Sequence, residues 1–154
     1  MAKDRPHDHD LRRGRVSESG RVYLVTAVTH GRKPLFADFH CARSLVRCLR
    51  HMQAAGRAET YCFVVMPDHL HWLLALGEGQ ELSALVQATK SYCARQVNAL
   101  RRENGPVWQA GFHDHALRAE EDVVAVARYL VANPVRAGLV GRVGDYPLWD
   151  ARWL

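Results

Sequence analysis

From Arg21 the chain alternates apolar and polar side chains through RVYLVTAVTH and is rich in β-branched residues, which predicts a strand followed by the turn GRKPLF. Between about Asp38 and Ala55 the period changes. Cys41, Leu45, Cys48, Leu49 and Met52 recur at helical spacing, and Gly56 closes the helix. Its other side carries Arg43, Arg47 and Arg50, read as a solvated face with phosphate contact as the alternative. ETYCFVV and HLHWLLAL then predict two strands joined through Met66, Pro67 and Asp68, where proline fixes φ. A second helix is expected from about Glu81 to Arg101, with Leu82, Leu85, Val86, Thr89, Cys93, Val97 and Leu100 inward, until Asn104, Gly105 and Pro106 break it. WQAGFHDHALR reads as a turn and a strand. AEEDVVAVARYLVANP reads as a third helix whose acidic first turn complements its dipole, and Val135 to Leu154 as an irregular aromatic tail.

Strand, helix, strand, strand, helix, strand, helix is the order of an α+β protein. It suits a ferredoxin-like, split βαβ antiparallel sheet with helices packed on one face. At 154 residues the chain suggests one domain, residues 20–154, able to bury a core without disulfides or a structural metal. Residues 1–19 are polar, mix both charge signs and lack periodicity, which predicts a flexible arm; His7 and His9 within it are a weak metal pair. The net charge of +5 favours polyanions, although it also fits a protein that is merely soluble and slightly basic. No run reaches the roughly 20 apolar residues of a membrane span, and the opening MAKDRPHDHDLRRGR is too charged for a signal peptide, so a cytoplasmic location is expected. Cys41, Cys48, Cys62 and Cys93 form no CxxC pair and read as core thiols in a reducing compartment.

The chemistry is concentrated in VMPDHLHWLLAL, Val65 to Leu76. Successive strand side chains alternate faces, so His69 and His71 point the same way, at a metal-ligand spacing. A buried histidine is often only a hydrogen-bonded core residue, but two desolvated imidazoles on one face each need a partner. Two are too few for a closed structural site of four protein ligands, so an open, catalytic site is the reading. In the third helix Val123, Val126, Ala127 and Leu130 form the core stripe and leave Tyr129 at its edge, with Asn133 four residues on, before Pro134. Taken alone, the pair is better read as a tyrosine packed at a helix edge and an asparagine that stops the helix.

Four stretches together resemble the single-tyrosine HUH transposases, and within them the REP-associated tyrosine transposases. They are GRVYLVTAVTHGRKPLF, VVMPDHLHWLL, WQAGFHDHALRAEED and YLVANPVRAGLV, in family order between Gly20 and Trp149. The resemblance implies an HUH endonuclease type of fold with His69 and His71 as metal ligands, Tyr129 as nucleophile and Asn133 as third ligand. It further implies cleavage and rejoining of single-stranded DNA through a 5′-phosphotyrosine link, on REP-like hairpins, with no ATP. Nitrogen ligands suit manganese better than magnesium, so Mg²⁺ or Mn²⁺ is expected, Mn²⁺ the tighter. Asp68 stands where the family usually has Asn, and Leu24 where it often has His.

The second HxH, His113 and His115, is similar to the family's sequence there and is expected to line the site, with Asp114 assisting; an alternative metal pair is the other reading. Arg12, Arg13, Arg15, Arg21, Arg32, Lys33, Lys90, Arg118, Arg128 and Arg136 are candidate phosphate partners. Trp108 and Phe112 are candidates for stacking on bases, as is Trp72, for which core packing is the better account. Single-stranded or hairpin DNA is the expected partner, with the protein monomeric and nucleoid-associated when bound. Two other functions remain open at this point: a nucleic-acid-binding protein of the same fold that no longer cuts, and a small metal-dependent hydrolase using both HxH pairs.

Overall fold

The computed structural model describes residues 21–118 and 122–152. The arm expected over residues 1–19, with Arg12, Arg13 and Arg15, lies outside them. Five strands form one antiparallel sheet: β1 (Val22–Val28), β2 (Ala58–Met66), β3 (His69–Leu76), β4 (His113–Ala116) and β5 (Trp149–Ala151), in the order β4-β1-β3-β2-β5. The first four strands have the ferredoxin-like order 4-1-3-2, the helix α1 (Phe39–Ala54) crossing from β1 to β2 and α2 (Leu82–Arg101) from β3 to β4. Then come α3 (Val123–Val131), the single-turn α4 (Asn133–Arg136) and β5.

α1 starts where the Asp38 carboxylate accepts from the backbone N–H groups of His40 and Cys41, at 2.8 and 3.2 Å. It ends where Gly56 takes φ +73°, a left-handed conformation that costs glycine little. Its inner side chains, Cys41, Leu45, Cys48, Leu49 and Met52, are all buried as the periodicity requires. Each large one contributes roughly 1.5–3 kcal/mol by leaving water. α2 buries its expected stripe except Leu100, which is 52% exposed on the last turn.

The helices do not share one face, contrary to the expectation. α1 and α2 cover the face of Val25, Trp72, Leu74 and Val65, while α3 covers the other with Ala127, Leu130 and Val131, against Cys62, Val64, Met66 and Leu73. The β2 side of the sheet is therefore buried on both faces, whereas on the second face Thr26, His69, His71 and His113 stay partly exposed and His115 is exposed. That second face is the one to which His69 and His71 belong.

Two further differences concern the C-terminal third. Val135 to Leu154 is not an irregular tail: Trp149–Ala151 pairs with Cys62, Phe63 and Val64 and extends the sheet. The third helix also stops earlier than Pro134, at Val131 with Ala132 as its C-cap, and Asn133 opens a new turn. Proline lacks the N–H that would reach back to Leu130, so the ladder breaks there. Asp122 caps α3 at its start, accepting from Val124 and Ala125; Glu120 and Glu121, expected in its acidic first turn, lie outside the described residues.

All four cysteines are buried and free, as the absence of CxxC spacing implies. Burial pushes the Cys48 thiol up to about 11 and the Cys62 thiol up to about 12. No helix among the described residues is long and apolar enough to cross a membrane.

Candidate active site

The turn between β2 and β3 is fixed before its histidines begin. Thr29 donates from its backbone N–H and its hydroxyl to the Asp68 carbonyl, at 3.0 and 3.1 Å, and Phe36 N–H donates to the Pro67 carbonyl at 2.9 Å. The Asp68 carboxylate accepts from Arg32 at 3.1 Å with one oxygen and meets His69 Nδ1 at 2.7 Å with the other. Burial opposes its charge, but the hydrogen bonds and charges of His69 and Arg32 outweigh that and lower the Asp68 pKa. A carboxylate thus orients the first imidazole.

A hydroxyl orients the second. Thr26 stands opposite His71 in the β1–β3 register, and its Oγ1 lies 2.9 Å from His71 Nδ1. With the proton on Nδ1, His71 donates to Thr26 and keeps a lone pair on Nε2. Burial first, then the positive charges of His69 and Arg136, hold the His71 pKa down at about 4, so the ring is neutral at pH 7. The two rings lie 4.7 Å apart between centroids, at 80° to one another.

Each ring is held at Nδ1 by an oxygen, which leaves both Nε2 atoms for a metal; this is the outer-shell arrangement that metal-binding histidines usually have. The pair therefore fits a divalent ion. Among the described residues no three His, Cys, Asp or Glu side chains come together as a metal set. Remaining ligands would have to be an amide oxygen, water or substrate.

Tyr129 is 65% exposed on α3, one residue from buried Leu130, as the stripe predicts. Asn133 lies one helix further on, yet the two are tied by Arg136. Its Nη2 donates to the Tyr129 carbonyl and to Asn133 Oδ1, each at 2.6 Å, and its guanidinium lies 3.8 Å from the centroid of the Tyr129 ring.

The second HxH divides as strand alternation requires. His113 pairs with Thr26 and His115 with Leu24, so both point to the face of His69 and His71. His113 Nδ1 is buried with no hydrogen-bond partner. Asp114, expected to assist, pairs with Val25 and is buried toward the opposite face. β1 separates β3 from β4 by two strand spacings, about 9–10 Å. The two HxH pairs accordingly do not form one metal set.

Two proposed DNA contacts are turned inward. Lys90 is 8% exposed, and its ammonium donates to the carbonyls of Gln109 and Gly111 at 2.8 and 2.7 Å. Burial lowers its pKa to about 8. Trp108 is equally buried, donates to the Lys90 carbonyl at 3.1 Å and packs on Phe36. Together they pin the loop that delivers β4. Phe112 and Trp72 are likewise core residues, and Trp72 donates to Thr60. Lys33, Arg32, Arg118, Arg128 and Arg136 are exposed, Arg32 being engaged with Asp68, and Arg21 is half-buried. A cleft of about 790 Å³ lies elsewhere, against the C-terminal end of α1 and the β2–β5 edge, and none of the histidines or Tyr129 lines it.

Thr26 was missed by sequence reasoning, and Arg136 was seen only as a phosphate contact. Thr26 had one signal: a polar residue between Leu24 and Val28 on an otherwise apolar strand face. Lys90 had a comparable one, since it falls four residues after Val86 and three before Cys93, inside the apolar stripe of α2.

A split βαβ sheet with a histidine pair on one face and the helix that carries Tyr129 packed on the same face defines a small α+β protein. Residues 19–133 match the family described as Transposase IS200 like, and the chain belongs to that family. A Haemophilus influenzae protein provisionally named as a REP-associated tyrosine transposase is 34% identical over 100 residues, 58% of this chain and 56% of that protein. A REP-associated tyrosine transposase of Escherichia coli K12 is 32% identical over 91 residues, 58% of this chain and 52% of that protein. The chain thus aligns with only about half the length of these curated relatives. A solved REP-associated tyrosine transposase bound to a REP hairpin has the same fold, with a TM-score of 0.67 at 24% identity, covering 88% of this chain and 79% of that one.

Proposed function

We propose that the protein is a metal-dependent transposase that cleaves and rejoins single-stranded DNA through a 5′-phosphotyrosine intermediate. The observation that carries the reading is the shared face: α3, with Tyr129 exposed at its edge, packs on the side of the sheet that presents His69 and His71. Family membership and the histidine geometry support it. His69 and His71 would hold Mg²⁺ or Mn²⁺ through Nε2, with Asn133 Oδ1 as a third donor. The bound ion would supply positive charge against the phosphate oxygens as negative charge develops there.

The protein's own residues do the rest. Asp68 and Thr26 hold the imidazoles in place, so these two rings need not reorient when DNA arrives. The Tyr129 phenol attacks phosphorus and displaces the 3′-oxygen of the preceding nucleotide, leaving a 5′-phosphotyrosine and a 3′-hydroxyl; the phenol proton ends on that hydroxyl. A 3′-hydroxyl attacking the phosphotyrosine reverses the step and restores the phenol. The phosphodiester count is unchanged throughout, so no ATP is consumed. The similar protein seen with a REP hairpin supports a hairpin with a single-stranded flank as substrate, reached through exposed Lys33, Arg118 and Arg128.

The test is incubation of the protein with such a hairpin, labelled on the strand 3′ to the cut, plus Mn²⁺, followed by a denaturing gel. A labelled protein band that needs both metal and Tyr129 supports the reading. DNA binding without any covalent band would leave a binding protein of this fold, and free 5′-phosphate ends without a band would indicate a hydrolase.

A further inference from the structure

Arg136 occupies an unusual position for a surface arginine. One nitrogen, Nη2, donates to both the Tyr129 carbonyl and Asn133 Oδ1, while the guanidinium plane covers the tyrosine ring. Asn133 Oδ1 is the oxygen that the proposed function requires as a metal donor. A guanidinium 2.6 Å from that oxygen and a divalent cation on the same oxygen repel each other, so the carboxamide serves one of them well at a time.

A guanidinium is well matched to a better partner. Its planar fork binds phosphate through two parallel hydrogen bonds, and Arg136 is exposed at the edge where a DNA backbone would have to pass to reach Tyr129. Moving from a neutral amide to an anionic phosphate exchanges a weaker hydrogen bond for a stronger one. It also uncovers the nucleophile's ring and releases Asn133 in the same motion.

We propose that Arg136 is a positioning latch: it holds Asn133 and Tyr129 together until the phosphate backbone of single-stranded DNA draws it away, so that DNA and divalent metal bind with positive cooperativity. This rests on the function proposed above. By linkage, each ligand then strengthens the other by the same factor, and a coupling of about tenfold lies within the ordinary range for such effects. A metal bound without DNA would find the third donor blocked. The site would be assembled only on substrate.

The experiment is Mn²⁺ titration by calorimetry, with and without the DNA hairpin carrying a single-stranded flank. Every protein carries Tyr129→Phe, so that no cleavage occurs and the ring contact persists. With Arg136 intact, DNA should tighten Mn²⁺ binding about tenfold. Arg136→Gln should bind Mn²⁺ about tenfold more tightly without DNA and gain little from adding it. Arg136→Lys keeps the charge but not the fork, so it should bind Mn²⁺ no more tightly than the intact protein without DNA and gain less from adding it. Unchanged or weaker Mn²⁺ binding in Arg136→Gln would overturn the latch, as would an Arg136→Lys protein that keeps the full DNA coupling. His71→Ala separates the two levels: if it leaves Mn²⁺ binding intact, the metal site itself is wrong and the latch falls with it.

Discussion

Lowering the pH should unfold the metal-free protein partly through one side chain, His71. The ring lies against Thr26, and burial together with the charges of His69 and Arg136 holds its pKa near 4 instead of the ordinary 6.5. In the unfolded chain the ordinary value returns. The unfolded state therefore binds a proton that the folded state refuses, so the contribution of His71 to stability is complete above pH 6.5 and falls as the pH drops toward 4. The gap between the two pKa values corresponds to about 3 kcal/mol, a large share of the 5–15 kcal/mol typical of a domain. Urea denaturation of wild type and His71→Gln between pH 7 and pH 4, with a chelator present, measures it. Groups remote from the site titrate alike in both proteins, so the wild type should lose about 3 kcal/mol more than the variant across that window. Parallel stability profiles would refute the reasoning, because His71 would then be no more desolvated in the folded protein than in the unfolded chain.

Thr26→Val keeps the shape of the strand residue and removes the oxygen beside His71 Nδ1, so Mn²⁺ affinity should fall about 10–100-fold while the fold persists, as read by calorimetry and circular dichroism. Lys90→Met strands the carbonyls of Gln109 and Gly111, and should cost about 2–4 kcal/mol in a urea titration. The same variant, where folded, should shift DNA in a gel as the wild type does, because its ammonium does not reach the surface. At Gly77 an added Cβ would lie 2.0 Å from the Gly56 carbonyl oxygen, so Gly77→Ala should destabilise by roughly 1–3 kcal/mol or more, again by urea titration.

The parts of the fold legible in the sequence were those whose period is long enough to count. α1 and α2 each repeat their stripe over several turns, and the β2–β3 hairpin has proline at its turn, so their limits were readable to within a residue or two. β5 has three residues, fewer than two periods of alternation, and is a strand because β2 offers an open edge beside it. The placement of α3 on the far face depends on which side of the sheet remains uncovered after α1 and α2 have packed, a global fact with no local signature. The site shows the same division. That His69 and His71 share a face follows from alternation alone, and alternation should also have separated Asp114 from His113 and His115. The Thr26–His71 contact needed the β1–β3 register, which a crossover connection leaves open. The bonds of Arg136 required the break after Val131, which turns Asn133 into the start of a new helix.

The central claim is that Tyr129 carries the DNA. The most direct measurement is mass spectrometry of the covalent species formed with the hairpin and Mn²⁺, after protease and nuclease digestion. The account predicts a nucleotide phosphate on Tyr129 and on no other tyrosine, with no adduct in Tyr129→Phe. An adduct on another residue, or cleaved DNA ending in a free 5′-phosphate with Tyr129 unmodified, would contradict it.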